Sequence, residues 1–306
     1  MPATALFTYR KQIMSKTILI TGTSNGFGKD VALTLAAAGH QVFATMRDPA
    51  GRNVEAAKDL KATGITVVEL DVKQDASVDA AFGTVLQQTG GRLDVLVNNA
   101  GVMVQGISET ITADQTRDMF DVNVFGIQRT TRAALPAMRQ AKAGLIVNIG
   151  SILGRVTIPF VGLYGATKHA VEAMTESYRY ELSQLGVDVV LVQPSAYPTN
   201  LYSAHQDPAD AARAPEYGAV ADMPKDFVAF LHSVFSGANA PNPHDVAEAL
   251  VRLIDTPPGQ RPERVVVGNP FGASDVNTVV KPIQGQLIEA IGMGALMTLK
   301  AGTSKA

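Results

Sequence analysis

Seven short apolar runs, separated by stretches with helical spacing, constrain the fold of this chain more than any other feature. The runs are rich in Val, Ile and Leu and apolar throughout, which is typical of strands buried on both faces of a sheet. They lie at residues 16–21, 41–46, 65–70, 93–97, 145–149, 187–192 and 264–267. Their alternation with helices predicts an α/β fold, a doubly wound parallel sheet of about seven strands. A hydrophobic content of 46% suits one domain over residues 1–306.

A glycine-rich turn follows the first run. Gly22-Thr-Ser-Asn-Gly26-Phe-Gly28 lies between the strand that ends at Thr21 and a helical pattern at residues 29–38. Glycines let the backbone approach a pyrophosphate, and a helix N-terminus presents free N–H groups to it. Glycine spacing alone is equally compatible with a tight turn. The strand before and the helix after it favour a dinucleotide-binding unit.

Tyr164 and Lys168 are one helical turn apart and therefore share a helix face, and Ser151 precedes them. An ammonium beside a phenol favours the phenolate, so we expect Lys168 to lower the pKa of Tyr164. A phenol tuned in this way can exchange a proton with an alcohol or a carbonyl oxygen. Because Tyr and Lys share many helix faces by chance, the pair gains its meaning from the rest of the chain.

Together these motifs resemble the short-chain dehydrogenase/reductase family in its single-domain form, and loosely its hydroxysteroid- and retinol-type members, over about residues 17–270. The resemblance implies a Rossmann-type fold and hydride transfer between a nicotinamide and a secondary alcohol or ketone. It also implies a catalytic tetrad of Asn123, Ser151, Tyr164 and Lys168. The cofactor contacts expected on this basis are Gly22, Ser24, Asn25, Gly26, Phe27, Gly28, Asp71, Val72, Asn99, Ala100, Gly101, Tyr164, Lys168, Pro194 and Thr199.

The four tetrad residues are expected to play different parts. Tyr164 would give its proton to the carbonyl oxygen, and Lys168 would tune Tyr164 and, by resemblance, bind the nicotinamide ribose. The Ser151 hydroxyl would polarise the carbonyl and stabilise developing oxyanion charge. Asn123 falls inside a long helical pattern at 112–140, where asparagine is a poor helix former, so a helix interruption is expected there. The resemblance implies a proton-relay water at that interruption.

The end of the second run predicts the choice of cofactor. An NAD site commonly has a carboxylate there to accept hydrogen bonds from the adenosine ribose, whereas this chain has Met46 and then Arg47. A guanidinium can bind a 2′-phosphate through two hydrogen bonds. Asp48 comes one place later, where the chain turns, and Lys29 and Arg52 could assist. We therefore expect NADP, with NAD as the less favoured cofactor and a solvated Arg47 as the alternative interpretation.

Residues 194–243 interrupt the alternation of strands and helices, and are rich in Ala, Pro, Asp and aromatic residues. Ligands of such sheets bind beyond the carboxyl ends of the strands, so this insertion is well placed to wall the substrate site. The alternative is a surface excursion whose aromatic side chains complete the core. Substrate contacts are expected from Ser151, Leu153, Phe160, Tyr197 and Tyr202, and a mostly apolar wall favours a hydrophobic carbonyl compound.

Composition limits the partners. A net charge of −2 provides no basic field for nucleic acid or acidic lipid, and no apolar stretch reaches the roughly 18 residues of a membrane span. The five histidines are scattered without metal-binding spacing and cysteine is absent, so no metal site is expected. No secretory signal is recognisable at the N-terminus. A cytoplasmic protein that acts on a small molecule, without nucleic-acid or membrane partners, is the expectation.

The sequence predicts an arm at the N-terminus and a helix at the C-terminus. Residues 1–15 are expected to form an N-terminal arm. Since Met14 lies just before the first strand, residues 1–13 are expected to be dispensable or to come from an upstream start. In the tail, residues 271–306, the apolar side chains at 280, 283, 287, 291 and 295 follow a helical period. This helix is expected to pack on its own domain, with a subunit contact as the alternative. By resemblance, the helices at 112–140 and 163–185 would pair subunits into a homodimer or homotetramer.

Two other functions are compatible with such a fold. A regulatory protein that senses NADP without turnover would be expected to have a damaged tetrad, whereas all four positions are filled here. An NAD-dependent alcohol dehydrogenase would need Arg47 to point into solvent. An epimerase or dehydratase of the extended family is disfavoured by the glycine spacing and the compact length.

Overall fold

Seven parallel strands form a single sheet in the described part of the chain, residues 15–203 and 206–300 of a computed structural model. The strands are β1 Thr17–Thr21, β2 Gln41–Met46, β3 Thr66–Glu69, β4 Val95–Asn98, β5 Gly144–Ile149, β6 Val187–Pro194 and β7 Arg264–Val267. Their order is β3-β2-β1-β4-β5-β6-β7, so the chain reverses direction across the sheet between β1 and β4. The predicted doubly wound α/β fold is confirmed. The expected N-terminal arm lies almost entirely outside the described residues.

Helices cover both faces of the sheet. They are α1 Gly26–Ala37, α2 Val54–Ala62, α3 Asp75–Gln88, α4 Ala113–Phe120, α5 Gly126–Ala141, α6 Gly162–Ser183, α7 Asn200–Ser203, α8 Met223–Ser236, α9 His244–Asp255 and α10 Ala273–Ala290. Successive residues of β1 point to opposite faces: Ile18 and Ile20 join the core beneath α1 and α9, while Leu19 joins the core beneath α3 and α5. This explains why the strands are apolar throughout.

The long helical pattern predicted at 112–140 is two helices separated by a π turn. α4 and α5 flank a wider turn at Asp121–Phe125, where the Gly126 N–H donates to the carbonyl of Asp121, five residues earlier. The extra residue disturbs the regular hydrogen-bond ladder, which is common where a helix carries a functional residue. The helix interruption expected at Asn123 is therefore present.

Two asparagines inside the core tie the sheet to the helices that carry the site. The Asn98 side chain on β4 donates to the Asn148 side-chain oxygen on β5 at 2.9 Å, and Thr130 on α5 donates to Asn98 at 2.6 Å. Asn148 in turn donates to the Thr175 hydroxyl on α6 at 2.9 Å. All four side chains are buried. Buried polar groups of this kind fix the register of packed elements, since each unpaired group would be costly.

The C-terminal helix does not bury the apolar stripe predicted from its sequence. Ile283 is 61% exposed and Leu287 and Ile291 are each 54% exposed, whereas the buried residues of α10 are Ala273 and Ile288. The expectation that this stripe packs on its own domain is therefore wrong within the described residues. The helical period was correct, but the buried face is rotated from the stripe. No helix of the described residues is long and apolar enough to cross a membrane.

Candidate active site

A cleft of about 410 Å³ opens at the carboxyl edge of the sheet, where the strand order reverses between β1 and β4. This is the position at which doubly wound sheets bind their ligands. One end is lined by the glycine-rich turn and by the end of β2, and the other by the start of α6 and by the segment after β6. Most of the site residues expected from the sequence line this cleft.

Each of the three glycines of the turn is required for its own structural reason. Gly22 has a positive φ of 70°, and a Cβ there would lie 2.8 Å from the Ala100 Cα. Gly26 also has a positive φ, of 54°, and faces Thr199. A Cβ on Gly28 would lie 2.3 Å from the Gly22 carbonyl oxygen and 2.4 Å from the Asn99 amide nitrogen. Gly28 is thus a packing residue behind the turn, outside the cleft lining where it was expected to contact the cofactor.

The start of α1 presents unpaired N–H groups to the cleft. Asn25 precedes the helix in an extended conformation and makes no side-chain capping hydrogen bond. The first backbone bond of the helix runs from the Lys29 N–H to the Asn25 carbonyl, so the preceding N–H groups of the first turn have no helical partner. Ser24, Asn25, Gly26 and Phe27 all line the cleft, as expected. Free N–H groups and the helix dipole favour an anionic ligand.

Two guanidinium groups flank the cleft where β2 ends. Arg47 and Arg52 both line it and are exposed, whereas the neighbouring Asp48 does not line it. The Asp48 carboxylate turns back into its own loop and accepts the Arg52 N–H at 2.9 Å. Lys29, which could have assisted, pairs instead with Asp59 at 2.7 Å. Among the described residues, two guanidinium groups face one carboxylate, that of Asp71, at this end of the cleft, so the net charge there is positive.

Asp71 and Val72, expected to contact the adenine, lie at the end of β3 beside the same part of the cleft. The Asp71 carboxylate accepts the Lys73 N–H at 3.0 Å and its own N–H donates to the Ser77 hydroxyl at 2.9 Å. These bonds hold the turn in one shape. On the opposite side of the cleft, Ala100 and Asn99 are fixed to the Thr21 hydroxyl through their N–H groups, each at 3.0 Å.

Tyr164 and Lys168 lie on the cleft-lining face of α6, and both are buried. Lys168 Nζ donates to the Ile149 carbonyl at 2.9 Å and lies 5.6 Å from the centre of the Tyr164 ring. Burial lowers the pKa of Lys168 to about 8. Burial, and to a smaller extent Tyr202, raises the pKa of Tyr164 above its ordinary value. The expected lowering of the Tyr164 pKa is therefore wrong in this structure, because desolvation of the phenol outweighs the attraction of an ammonium engaged elsewhere.

Ser151 follows β5 and begins the short 3₁₀ turn Ile152–Gly154. Its Oγ accepts the Leu153 N–H at 3.1 Å, which is an ordinary helix-capping contact. A hydroxyl that accepts one hydrogen bond still has its own proton to donate. Ser151 and Tyr164 both line the cleft, so each brings a hydroxyl group to the same cavity.

Asn123 lies in the π turn but does not line the cleft. Its side-chain oxygen accepts the Val102 N–H at 2.9 Å, and its amide nitrogen donates to the Val102 carbonyl at 2.9 Å and to the Thr167 hydroxyl at 3.0 Å. The side chain thus clamps the loop after β4 to α6. Both amide hydrogens are used, so a water held at this turn could bind this side chain only by donating to its oxygen.

The aromatic residue Tyr197 supports the cleft from behind. Its side chain is completely buried, its ring contacts Phe27 edge-on at 5.5 Å, and its hydroxyl donates to Asp245 at 3.2 Å. Burial and Asp245 raise the pKa of Tyr197 to about 12. Although Tyr197 borders the cleft, this arrangement corrects the prediction that its side chain forms an open part of the substrate wall.

The other predicted wall residues divide into two groups. Tyr202 lines the cleft and its ring contacts Phe235 at 5.4 Å. Leu153 and Phe160 lie outside the lining, and Leu153 instead joins the buried cluster beneath Tyr164. Both expectations are corrected: Leu153 is buried in the core, and the Phe160 carbonyl accepts the Gly106 N–H in a segment that does not border the cleft.

The insertion after β6 is fastened to the loop that follows β4. The Gln206 N–H donates to the Met103 carbonyl at 3.1 Å. Further out, Glu109 pairs with Arg213 at 2.8 Å and accepts the Tyr217 hydroxyl at 2.7 Å. Of these residues, Met103 and Gln206 line the cleft, so the first contact borders it. Pro194 and Thr199 line it where the insertion begins.

Sequence reasoning missed several lining residues, namely Met46, Leu70, Met103, Asn200, Leu201 and Gln206. Met46 ends β2 and Leu70 directly follows β3, so the rule that ligands bind beyond strand ends could have found them. Met103 and Gln206 come together through the loop-to-insertion contact, for which the sequence carries no signal.

The residues of the cleft fit a dinucleotide. The close approach of Gly22 to Ala100 leaves no room for a side chain, the first turn of α1 has free N–H groups, and two guanidinium groups stand at the far end. A pyrophosphate and a phosphorylated ribose are the groups that such donors bind.

A model of the short chain dehydrogenase family matches residues 16–209 of this chain. The match includes the glycine-rich turn, the π turn and the Tyr164–Lys168 pair. The chain belongs to the short-chain dehydrogenase family. It is therefore an oxidoreductase of the class that acts on alcohol or ketone groups with a nicotinamide cofactor.

Similar proteins within the family have different substrates. The 3-ketodihydrosphingosine reductase of Bacteroides thetaiotaomicron is 38% identical over 182 residues, which span 60% of this chain and 64% of that protein. Retinol dehydrogenase 8 of Bos taurus is 32% identical over 260 residues, 80% of each protein. A short-chain dehydrogenase of Streptomyces avermitilis, known from a crystal structure, is 32% identical with a TM-score of 0.72, covering 92% of this chain and 98% of that one.

Two further solved structures contain a nicotinamide nucleotide. A variant of actinorhodin polyketide ketoreductase with NADPH is 26% identical, with a TM-score of 0.69, and covers 84% of this chain and 97% of its own. A family member from Burkholderia phymatum with NAD is 28% identical, with a TM-score of 0.70, and covers 89% and 95%. Similar folds thus hold either nucleotide, and the choice depends on the residues of this chain.

Proposed function

We propose that this protein is an NADP(H)-dependent reductase or dehydrogenase that interconverts a hydrophobic ketone and its secondary alcohol. The observation that carries the proposal is that one cleft joins Tyr164, Lys168 and Ser151 at one end to Arg47 and Arg52 at the other. The first three residues suit proton exchange with a carbonyl oxygen, and the two guanidinium groups suit a phosphate.

Tyr164, Ser151 and Lys168 have separate roles in reduction of the ketone. When bound, the dihydronicotinamide supplies the hydride. The Tyr164 phenol is protonated at neutral pH, and burial raises its pKa further above the ordinary value; it donates its proton to the carbonyl oxygen. The Ser151 hydroxyl donates a hydrogen bond to the same oxygen. Lys168, an ammonium at pH 7 since its pKa is about 8, stabilises the phenolate left behind and offers its remaining N–H groups to a ribose.

Met103, Leu201 and Tyr202 bring apolar side chains to the substrate side of the cleft, beside the polar Asn200 and Gln206. These side chains support a hydrophobic substrate, and residues 194–243 are proposed as the segment that covers it. A series of methyl ketones of increasing chain length should show KM falling with each added methylene, by roughly fourfold if each is fully buried. A constant KM across the series would contradict an apolar pocket.

Fluorescence titration of the protein with NADPH and with NADH tests which nucleotide it prefers. Arg47→Ala should weaken NADPH binding about 10- to 100-fold, the value of a charge-assisted hydrogen bond, and leave NADH unchanged. Lys58→Ala is the matched control, because Lys58 pairs with Glu55 on the surface and does not line the cleft. Equal binding of both nucleotides by the wild type would favour the NAD-dependent alcohol dehydrogenase instead.

Turnover separates an enzyme from a binding protein. Tyr164→Phe should abolish ketone reduction and leave NADPH affinity within about threefold, because only the reacting proton is lost. If the wild type binds NADPH but turns over no ketone in the series, the regulatory alternative gains support.

We propose a homodimer or homotetramer. The stripe of Val279, Ile283, Leu287 and Ile291 on α10, together with Phe271, is exposed apolar surface of the kind that interfaces cover. Mass in solution should fall to that of a single chain when Ile283 and Leu287 are both replaced by aspartate. An unchanged mass would direct attention to the long helices α5 and α6. Cytoplasmic location stays a prediction of the sequence, to be checked by cell fractionation.

A further inference from the structure

Glu172 lies one helical turn beyond Lys168 and two beyond Tyr164, so the three side chains follow one face of α6. Its carboxylate is only 4% exposed, although an ionised carboxylate is rarely buried without strong partners. The proposed chemistry gives Glu172 no part, and it does not line the cleft.

The Glu172 carboxylate joins three separate segments of the chain. One oxygen accepts from the Gln193 side chain on β6, directly before Pro194. The other accepts the Arg264 Nε–H from β7 at 2.9 Å and lies 3.1 Å from the Arg155 guanidinium. Gln193 also accepts a hydrogen bond from Asn277 on α10, at 2.7 Å.

The turn that carries Ser151 rests directly on this carboxylate. Arg155 ends the 3₁₀ turn that Ser151 begins, and Glu172 is the carboxylate that pairs with it among the described residues. A Cβ on Gly154 would lie 2.8 Å from the Glu172 Cγ and 2.9 Å from the Lys168 carbonyl oxygen. The turn therefore packs against α6 with no room for an added methyl group at Gly154. Its position depends on the contact between Arg155 and Glu172.

We infer that Glu172 is a positioning residue of the active site. It fixes the turn bearing Ser151, and the strand end bearing Pro194, against the helix bearing Tyr164 and Lys168. Its role in catalysis rests on the proposed function. Its mechanical role does not, and can be measured without turnover.

Two variants separate positioning from simple loss of stability. Glu172→Gln alone leaves the Arg155 guanidinium buried without its carboxylate, which by itself destabilises the fold. The double variant Glu172→Gln with Arg155→Met removes both charges, while Arg264 keeps Glu176 at 3.3 Å. The control is Glu176→Gln, which sits one turn further along α6 and contacts neither the Ser151 turn nor Gln193.

Hydrogen exchange of the full-length protein without nucleotide, followed by mass spectrometry, tests the mechanical role. In the double variant, the peptide spanning residues 150–156 should exchange about tenfold faster, since its amides are held by the turn, and the control should match the wild type. Unchanged exchange in this peptide overturns the inference, whatever the activity.

Steady-state kinetics of the same proteins test the catalytic consequence. In the double variant kcat should fall about 10- to 100-fold, with NADPH affinity within about threefold of the wild type, since a displaced Ser151 affects the reacting oxygen. A double variant with wild-type kcat would mean that Glu172 only neutralises Arg155, and would overturn the inference. A wild type without turnover would refute the proposed function and leave the exchange result to decide this one.

Discussion

Replacing Lys168 by methionine should make the folded protein more stable at neutral pH while abolishing turnover. Lys168 is buried, and its ammonium makes one described hydrogen bond, to the Ile149 carbonyl at 2.9 Å. Methionine fills a similar volume without a charge. The substitution therefore removes a buried cation and keeps most of the packing.

The magnitude follows from the pKa of Lys168, which burial lowers from 10.5 to about 8. Because a tenfold change in proton affinity is worth about 1.4 kcal/mol, holding the ammonium charged at pH 7 costs the folded state about 3 kcal/mol. Loss of the hydrogen bond to Ile149 reduces the stability gained in the variant by about 1 kcal/mol. The free energy of unfolding of the methionine variant should thus exceed that of the wild type by about 2 kcal/mol at pH 7.

The same pKa fixes the sign of the pH dependence. The unfolded chain keeps the lysine proton up to a pH near 10.5, whereas the folded chain loses it near pH 8. Between these values the unfolded state binds more protons, so this group makes the wild type more stable as the pH rises, by about 2 kcal/mol from pH 7 to pH 9.5. Below pH 8 the full cost remains. The methionine variant lacks this rise.

Urea unfolding at pH 7 and pH 9.5 without nucleotide measures both effects. Staying below pH 10 limits the contribution of Tyr164, whose raised pKa lowers stability only once tyrosines of the unfolded chain ionise. Lys58→Met, at a largely exposed lysine, should change stability by less than about 0.5 kcal/mol. A Lys168→Met protein that is less stable than the wild type at pH 7, or that keeps the rise to pH 9.5, would refute the reasoning.

Three further substitutions test the packing and polar contacts of the site. Gly28→Ala should weaken NADPH binding at least about tenfold in a fluorescence titration, because its Cβ would lie 2.3 Å from a carbonyl oxygen of the turn, whereas Gly83→Ala, with nothing within 4 Å, should bind normally and be slightly stabilised. Ser151→Ala should lower kcat about 100-fold and leave NADPH affinity intact, as measured by initial rates and titration. Asn98→Ala should lower the free energy of unfolding in urea by about 3 kcal/mol, since it strips the buried Asn148 oxygen of its 2.9 Å donor.

The sheet was predictable because its strands satisfy one requirement along their whole length. A strand covered on both faces must be apolar at every position, and β1 shows this with Ile18, Leu19 and Ile20 each fully buried. Strand ends were less certain: the run predicted at 93–97 is observed at Val95–Asn98. Asn98 belongs to the strand although it is polar, because Thr130 and Asn148 satisfy it from the core.

The cleft was predictable where function depends on the backbone and less so where it depends on side chains meeting across the fold. The roles of Gly22 and Gly26 could be predicted from the sequence, because a positive φ and a close backbone approach both require glycine. Nothing in the sequence indicates that Asn123 would clamp Val102, or that Tyr197 would turn into the core towards Asp245. Those outcomes depend on which distant segment arrives opposite each side chain.

The buried face of α6 shows why chemistry and stability oppose each other in this fold. Tyr164, Lys168 and Glu172 occupy consecutive turns of one face, and all three are at most 5% exposed. An apolar face there would pack at no electrostatic cost. Keeping Lys168 charged at pH 7 costs folding free energy, because burial lowers its pKa. Glu172 is satisfied by partners from other strands, but Lys168 has only a neutral carbonyl partner among the described residues. Methionine should therefore stabilise the fold at position 168 and destabilise it at position 172, where it would leave Arg155 unpaired. Comparing the two in the same urea assay tests that difference directly, since equal effects would show that burial alone, and not pairing, sets the cost of charge on this helix.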